Sequence, residues 1–198
     1  MTVDIYLVGV GGQGIITASR IIGDAALMAG KDFLLSETHG MAQRGGSVSC
    51  TARLGDVHSP LIPDAQADVI LSFELLETLR ALPKASKDTV VVASTERIVP
   101  LSVSTQRLRY PTLEEVEAEV RKWARSFIPV DARMIAEEAG VPMSSNVVMV
   151  GALAGTSVTG LDRRCFERAI EKDIPRNVAQ NLEAFSRGFA SAEERLRA

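Results

Sequence analysis

The sequence predicts an α/β protein: a Rossmann-like, doubly wound and mostly parallel sheet followed by a C-terminal helical layer. Short apolar segments rich in β-branched residues alternate with amphipathic segments, as in βαβ units. The first apolar segment ends in a glycine-rich turn that opens a helix. From Ser144 onward every segment has a helical pattern. A chain of 198 residues, 46% of them hydrophobic, fits one domain over 1–198, with its helical part at 144–198.

The apolar runs give the expected strands and helices in order. Strands are predicted at "VDIYLVG", "DFLLSE", "SVSCTARLG", "ADVILSF", "DTVVVAS" and "SFIPVD", the third from its two-residue alternation. The first two strands and the helix "QGIITASRIIGDAALMAG" form a βαβ opening. Thr112 and Glu115 have capping-box spacing before a further helix, and Gly140 closes the next one.

The segment "VVMVGALAG" is apolar on every side of a helix, which is unusual for a surface position. It belongs either to the core or to an oligomer interface. Its small residues would let another helix approach closely; they are Gly151, Ala152, Ala154 and Gly155.

Composition excludes several classes of function. A net charge of −3 argues against nucleic acid as the main partner. The chain has no long apolar run and no cationic, cleavable N-terminus, so we expect no membrane association and a cytoplasmic location. Cys50 and Cys165 are far apart and form no CxxC, and the histidines are only His39 and His58. We therefore expect neither an iron–sulfur cluster nor a metal site within this chain.

The turn "GVGGQG" has the spacing of a dinucleotide-binding fingerprint, with glycines at Gly9, Gly11 and Gly14. Glycines allow a tight turn and close ligand approach, and the helix N-terminus that follows attracts anions. Glu37, at the end of the second predicted strand, lies roughly where a ribose-binding carboxylate would.

Two features disfavour a simple dinucleotide site. Gln13 places an amide at the mouth of the turn, and the polar, basic segment "THGMAQRGG" follows Glu37. Three interpretations stay open: the glycines only let the helix pack on the sheet, they contact an anion or cofactor, or they bind a dinucleotide.

The "G-x-G-G-Q-G" turn and the later "HGxxQRGG" segment together resemble the gamma module of the 2-oxoacid:ferredoxin oxidoreductases. The resemblance extends over residues 3–190 and includes "ADVILSFELLETLRAL". The helix "SNVVMVGALAG" and the ending "IPRNVAQNLEAF" are similar to the indolepyruvate branch of the family.

The resemblance implies the small subunit of a multi-subunit enzyme, inactive alone. Such an enzyme oxidatively decarboxylates an aryl 2-oxoacid such as indolepyruvate to the acyl-CoA and reduces ferredoxin. Thiamine diphosphate, Mg²⁺, [4Fe–4S] clusters and coenzyme A are then expected to act through a larger alpha subunit, because this chain has no "GDG" thiamine segment and only two cysteines. The alternative is a stand-alone NAD- or FAD-binding Rossmann oxidoreductase.

The candidate site is the corner where the glycine turn meets the end of the second predicted strand, with no catalytic residue assigned. Arg44 offers a planar fork for phosphate or carboxylate, and His39 could donate or accept a proton near neutral pH. The corner either binds ligand, such as coenzyme A phosphates, or orders a subunit interface. The candidate residues are Gly11, Gly12, Gln13, Gly14, Thr38, His39, Gln43 and Arg44.

Overall fold

The computed structural model describes residues 2–39, 46–98 and 109–197, with only the backbone of His39. The described strands are β1 (Val3–Val10), β2 (Phe33–His39), β3 (Ser47–Leu54), β4 (Ala67–Ser72), β5 (Ala85–Ser94) and β6 (Ser126–Val130). The described helices are α1 (Ile15–Met28), α2 (Leu75–Ala81), α3 (Leu113–Trp123), α4 (Ala132–Glu138), α5 (Ser145–Gly155), α6 (Arg163–Asp173) and α7 (Val178–Arg197). Each predicted strand and helix is present.

The six described strands form one sheet in the order β2-β3-β1-β4-β5-β6. Neighbours from β1 to β6 run parallel, whereas β3 is antiparallel to both β1 and β2. The mostly parallel, doubly wound prediction is therefore confirmed. The βαβ opening differs in one respect, because β3 is inserted between its two strands. Strands joined by a short connection pair readily as antiparallel neighbours, and β3 follows β2 closely in the chain.

The sheet is covered on both faces, which makes three layers. Alternate β1 residues reach opposite cores: Ile5 and Leu7 lie with α1 and α5 to α7, whereas Val8 lies with α2 and α3. The C-terminal helical layer is confirmed and packs on the α1 face. The helix that follows β1 and the helix that follows β4 lie on opposite faces of the sheet, so the crossover connections change sides between these two strands.

The apolar segment "VVMVGALAG" lies in helix α5, which is buried in the core. Of the two predicted positions, core and oligomer interface, the core is therefore the observed one. Helix α5 packs along α7, and three glycines set the separation of the two backbones. A Cβ on Gly151 would collide with the carbonyl oxygen of Phe185, and one on Gly188 with that of Val148. Gly155 faces the carbonyl oxygen of Phe189 in the same way.

The helix-end predictions are also confirmed. Thr112 and Glu115 form the capping box at the start of α3. Gly140 follows α4 with a φ of 77°, a left-handed conformation suited to glycine. Further along α3, Glu117 pairs with Arg121 and Glu119 with Lys122, so these glutamates lie on a solvated face of the helix.

Two carboxylates, Asp24 of α1 and Asp173 of α6, lie close together between these helices. Lys172 Nζ contacts Asp24 Oδ2 at 2.6 Å, and Asp173 lies close to the same carboxylate. Burial, followed by the neighbouring charge of Asp24, raises the pKa of Asp173. One oxygen of Asp173, Oδ2, is buried without a hydrogen-bond partner. Its ionised form is therefore unfavourable in the folded protein.

The close glycine contacts between α5 and α7 predict that any added side chain at these positions disrupts the packing of the two helices. Gly188→Ala should lower the free energy of unfolding by about 3 kcal/mol, because the methyl group forces two helix backbones apart. Ser191→Ala, on the same helix, should stay within about 0.5 kcal/mol of wild type. Urea denaturation measures both, and equal stability of the two variants would contradict this packing.

The raised pKa of Asp173 predicts that the stability of the folded protein depends on pH. Because its folded pKa is raised, the stability that it contributes is present at low pH and is lost as the pH rises through the folded pKa. Asp173→Asn should therefore raise the Tm at about pH 7, with a gain that shrinks toward about pH 4. The exposed control Asp32→Asn should show no such trend in the same scanning calorimetry. A lower Tm for Asp173→Asn at neutral pH would refute the assignment.

Candidate functional site

The glycine turn lies at the carboxyl end of β1, where the crossover connections change sides. Helix α1 leads from β1 to one side of the sheet, and α2 leads from β4 to the other. Open α/β sheets bind ligands in the crevice at such a switch point. The turn predicted from sequence therefore occupies the expected position.

The turn begins α1 with Gly14 as its N-cap, at a φ of 73° and without a side-chain cap. A Cβ on Gly14 would lie 2.6 Å from Nδ2 of Asn146, which donates to the Gly14 carbonyl oxygen at 3.3 Å. Gly12 differs: its φ is 108° and a Cβ there would meet nothing within 4 Å. The first turn of α1 has no acidic residue, so its free N–H groups keep their positive field.

The Gln13 side chain is bound within the protein. Its Oε1 accepts from Val10 N at 2.8 Å, and its Nε2 donates to Phe73 O at 2.7 Å and to Glu96 Oε2 at 3.0 Å. The amide thus joins residues at the ends of β1, β4 and β5. These three hydrogen bonds fix the amide, and with it the conformation of the turn, relative to the neighbouring strand ends. Direct ligand contact by Gln13 stays a prediction.

The two sequence motifs meet through β3. Gly11 N donates to Gly46 O at 2.8 Å, and Ser47 is paired with Val10 at the end of the β1–β3 ladder. Thr38 lies opposite Ser49, near the same end of the sheet. The His39 backbone completes β2, and Gln43 and Arg44 lie outside the described residues. The structure therefore brings the glycine turn and the described flanks of the second motif to one corner.

Glu37 does not lie beside the glycine turn, and this corrects the expected ribose-binding position. Because β3 is inserted, β2 is two strand spacings from β1, roughly 10 Å. Glu37 instead lines a groove between β2 and α1, together with Arg20. The structure thus removes one of the features that favoured a dinucleotide site.

Two buried carboxylates near this corner were missed by sequence reasoning. Glu74, fully buried, caps α2 by accepting from the N–H groups of Leu76 and Glu77. Its other oxygen accepts from Ile98 N at 3.2 Å and from the Tyr110 hydroxyl. Burial raises the pKa of Glu74, although its backbone hydrogen bonds oppose the shift. Its position directly between a strand and a helix was the available signal for an N-cap.

Glu77 is the second buried carboxylate, and it reaches the second motif. It accepts from Ser47 Oγ at 2.7 Å and pairs with Arg80 at 2.5 Å. The start of β3 is therefore held by two contacts: Gly11, directly after β1, donates to Gly46, and Glu77 on α2 accepts from Ser47.

The thiols and imidazoles do not combine into a cofactor site among the described residues. Cys50 is buried in the sheet, and burial raises its pKa to about 11. Cys165 is half-buried on α6, and His58 is almost fully exposed beside Asp56. In the described ranges, no three His, Cys, Asp or Glu side chains are grouped as metal ligands. These residues do not fit an iron–sulfur cluster.

The fold and the corner together define a class: an α/β protein with a glycine-rich turn and a helix N-terminus at the switch point of its sheet, and with two buried carboxylates nearby. The family model for pyruvate ferredoxin/flavodoxin oxidoreductase matches residues 4–191. The chain belongs to this family. In the described part of the chain, no helix is long and apolar enough to cross a membrane.

Individual relatives agree with the family and with the predicted branch. The chain is 43% identical over 195 residues to the indolepyruvate oxidoreductase subunit IorB of Methanothermobacter thermautotrophicus, covering 98% of this chain and 100% of that one. The gamma subunit of a keto/oxoacid ferredoxin oxidoreductase from Geobacter sulfurreducens is 22% identical with a TM-score of 0.70, covering 99% of each chain.

A third comparison extends the likeness in fold to a larger chain. The 2-oxoglutarate:ferredoxin oxidoreductase from Magnetococcus marinus, solved with 2-oxoglutarate, coenzyme A and succinyl-CoA bound, is 21% identical with a TM-score of 0.73. The match covers 98% of this chain and 31% of that chain. The same fold is thus found as a module of a longer polypeptide. The resemblance predicted from the two motifs is confirmed, and this chain is a small subunit of the 2-oxoacid:ferredoxin oxidoreductase family.

The contacts of Gln13 predict a structural cost for its loss. Gln13→Ala should lower the free energy of unfolding by about 2–3 kcal/mol, because Val10 N–H and the Phe73 carbonyl lose their partner. Gln13→Glu should not restore it, since a carboxylate would face Glu96 and the carbonyl. Exposed Gln180→Ala is the control, and urea denaturation is the measurement. Wild-type stability of Gln13→Glu would show that the donated hydrogen bonds are unimportant.

Proposed function

We propose that this chain is the small subunit of an indolepyruvate-type 2-oxoacid:ferredoxin oxidoreductase. The reaction converts an aryl 2-oxoacid and coenzyme A to an arylacetyl-CoA and CO₂, and passes two electrons to ferredoxin. The observation that carries this proposal is the 43% identity to an indolepyruvate oxidoreductase subunit over the whole length of both chains. We place the complex in the cytoplasm, where lone thiols such as Cys50 and Cys165 stay reduced.

The redox and thiamine chemistry belongs, in this proposal, to a larger alpha subunit. The chain has two cysteines, and Cys50 is buried in a sheet far along the chain from Cys165. These residues cannot ligate a four-iron cluster. Thiamine diphosphate and Mg²⁺ are likewise assigned to the partner. This chain's contribution is then binding and positioning at the interface with that partner.

The corner of the glycine turn and the second motif is the part of this chain that we assign to the partner's active site. The Gly11–Gly46 hydrogen bond holds the turn against the start of β3, and Glu77 holds Ser47. Gly12 leaves the approach to the turn open, and α1 offers a helix N-terminus without a competing acid. Arg44, which follows the last residue of β2 by five positions in the sequence, would supply the cation for coenzyme A phosphates. Coenzyme A in the Magnetococcus enzyme supports this choice of ligand.

The stand-alone dinucleotide enzyme is the less supported alternative. Glu37 lies two strands from β1, so it cannot hold a ribose whose pyrophosphate sits on the glycine turn in the usual Rossmann arrangement. Titration of the purified chain with NADH and with FAD, followed by fluorescence, tests this alternative directly. Micromolar binding of either would favour it over the subunit assignment.

Arg44 distinguishes ligand binding from interface formation at the corner. The chain and its large partner are co-expressed, and the complex is assayed with indolepyruvate, coenzyme A and ferredoxin. Arg44→Ala should raise the KM for coenzyme A about tenfold or more with the complex intact, because a charge-assisted phosphate contact is lost. Arg44→Lys should recover part of this loss, since it keeps the charge without the fork.

The matched control is Arg176→Ala, an exposed arginine before α7. It should leave both assembly and the KM for coenzyme A unchanged. An Arg44→Ala complex that assembles weakly but keeps a normal KM for coenzyme A would show that the corner serves the interface alone. A complex without 2-oxoacid oxidation by the wild-type chain would refute the subunit assignment itself.

A further inference from the structure

The two oxygens of the buried Glu74 carboxylate bind different parts of the chain. Oε2 accepts from Leu76 N at 2.7 Å and from Glu77 N at 3.0 Å, both in the first turn of α2. Oε1 accepts from Ile98 N at 3.2 Å and from the Tyr110 hydroxyl, both on the connection between β5 and α3. One side chain thus joins the start of α2 to both flanks of that connection.

A glutamate is an unusual choice for this N-cap. Helix N-caps are most often Ser, Thr, Asp or Asn, whose short side chains suffice to bind the first turn. Glu74 does this with one oxygen, and its longer side chain lets the other reach residues 24 and 36 positions further along the chain. Its full burial also carries a desolvation cost that a neutral cap would avoid. Capping α2 does not by itself require this residue, so the second oxygen has a role of its own.

The contacts on the α2 side of Glu74 lead to the glycine turn. Glu74 fixes the N–H group of Glu77, and the Glu77 carboxylate accepts from Ser47 Oγ at 2.7 Å. The residue before Ser47, Gly46, accepts from Gly11 N at 2.8 Å. The first of the turn's supports therefore begins at Glu74.

The contacts on the β5 side lead to the same turn. Ile98 lies two residues after Glu96, whose Oε2 accepts from Gln13 Nε2 at 3.0 Å. The Glu96 carbonyl oxygen accepts from Leu75 N at 3.4 Å, which binds the exit of β5 to the start of α2. By holding Ile98, Glu74 therefore fixes the second support of the turn as well.

The backbone of Glu74 is itself held in place. Its carbonyl oxygen accepts from Ser72 Oγ at 2.9 Å and from Thr78 Oγ1 at 3.1 Å, and both hydroxyls are buried. The residue before it, Phe73, accepts from Gln13 Nε2 at 2.7 Å. The carboxylate is thus a fixed point from which both supports of the turn extend.

We propose that Glu74 is a positioning residue for coenzyme A, which it does not touch. It acts through Glu77 and Ser47 on one side and through Ile98 and Glu96 on the other, and together these hold the glycine turn in its ligand-binding conformation. The proposal rests on the function proposed above. A small displacement of a binding group weakens the contacts that it makes, so loss of either support should reduce the affinity for coenzyme A.

Glu74→Asp separates positioning from capping in the co-expressed complex. Aspartate keeps the charge and is a favoured N-cap, but it is one methylene too short to hold Ile98 and Tyr110 as well. The complex should assemble normally, with a KM for coenzyme A raised about fivefold and an unchanged KM for indolepyruvate. A Glu74 that only caps α2 would give wild-type values for both substrates, and this result would overturn the proposal. Equal increases in both KM values would overturn it too.

Tyr110→Phe tests the same oxygen without altering the cap of α2. It removes one donor to Oε1 and should raise the KM for coenzyme A about threefold, again without an effect on indolepyruvate. This variant decides the question if the Glu74→Asp complex fails to assemble. An unchanged KM for coenzyme A in Tyr110→Phe would then overturn the proposal.

Asp162→Ala is the matched control for the loss of a helix cap. Asp162 caps α6 by accepting from Arg164 N at 2.8 Å. It lies away from the corner, close to Thr159, whose carbonyl oxygen binds Lys31 beyond the C-terminal end of α1. The variant should lose stability, yet it should keep the wild-type KM for coenzyme A.

Hydrogen exchange of the full chain gives a readout that does not depend on coenzyme A. In Glu74→Asp the amides of residues 9–15 should exchange faster than in wild type, and in Asp162→Ala they should not. Unchanged exchange of these amides in Glu74→Asp would overturn the proposal. A wild-type complex without coenzyme A-dependent oxidation of a 2-oxoacid would instead refute the proposed function, and with it the ligand assigned to this corner.

Discussion

The pairing of β3 with β1 is the interaction on which the rest of this molecule depends. It runs from Val3 opposite Leu54 to Val10 opposite Ser47 without interruption. This ladder brings Gly46, the last residue of the second sequence motif, to the glycine turn, where its carbonyl oxygen accepts from Gly11 N–H. The same insertion moves β2 to the edge and carries Glu37 away from the crevice. Because the antiparallel strand β3 lies between β1 and β2, the corner is built from two chain segments: the glycine turn after β1 and the residues that precede β3.

Polar side-chain contacts connect the ends of several strands at the corner. Gln13 joins β1 to Phe73 and Glu96, and Glu77 holds Ser47 from α2. Each tie satisfies a group that would otherwise be unpaired near the core, so loss of one leaves an unsatisfied partner. Parallel strands supply no hydrogen bonds beyond their own ends. Side chains have to connect those ends, and here an amide and a carboxylate do so.

The strands and helices could be predicted from the sequence, but which strands lie next to each other in the sheet could be predicted only in part. Apolar runs and capping residues such as Thr112 and Gly140 are local signals, and they gave the strands and helices in order. The position of β3 was not predictable in this way, because a two-residue alternation says which face is buried and nothing about the partner strand. A βαβ pattern favours adjacent parallel strands, and only the short connection after β2 pointed to an antiparallel neighbour.

The same distinction between local signals and long-range contacts explains which residues of the candidate site could be proposed from the sequence. Gly11, Gly14 and Thr38 could be proposed as candidates from the sequence because glycines and polar residues at strand ends have local signatures. Glu74 and Glu77 were missed, since a carboxylate in an amphipathic helix start is usually solvated, and their burial depends on contacts from Tyr110 and Ser47.

The glycines of the turn have separable physical roles, and this narrows what the motif means. Gly9 has no room for a side chain, since a Cβ would lie 2.8 Å from that of Phe73. Gly14 is required both by its positive φ and by Asn146. These two would be needed in any protein that packs α1 against this sheet and α5, with or without a ligand. Gly12 is different, because its surroundings are open and only its φ demands glycine. A glycine that faces open space beside a helix N-terminus is what close backbone approach by a ligand requires. Packing therefore accounts for Gly9 and Gly14 without any ligand. In the proposed function, a ligand would approach at Gly12 and at the N–H groups that follow it.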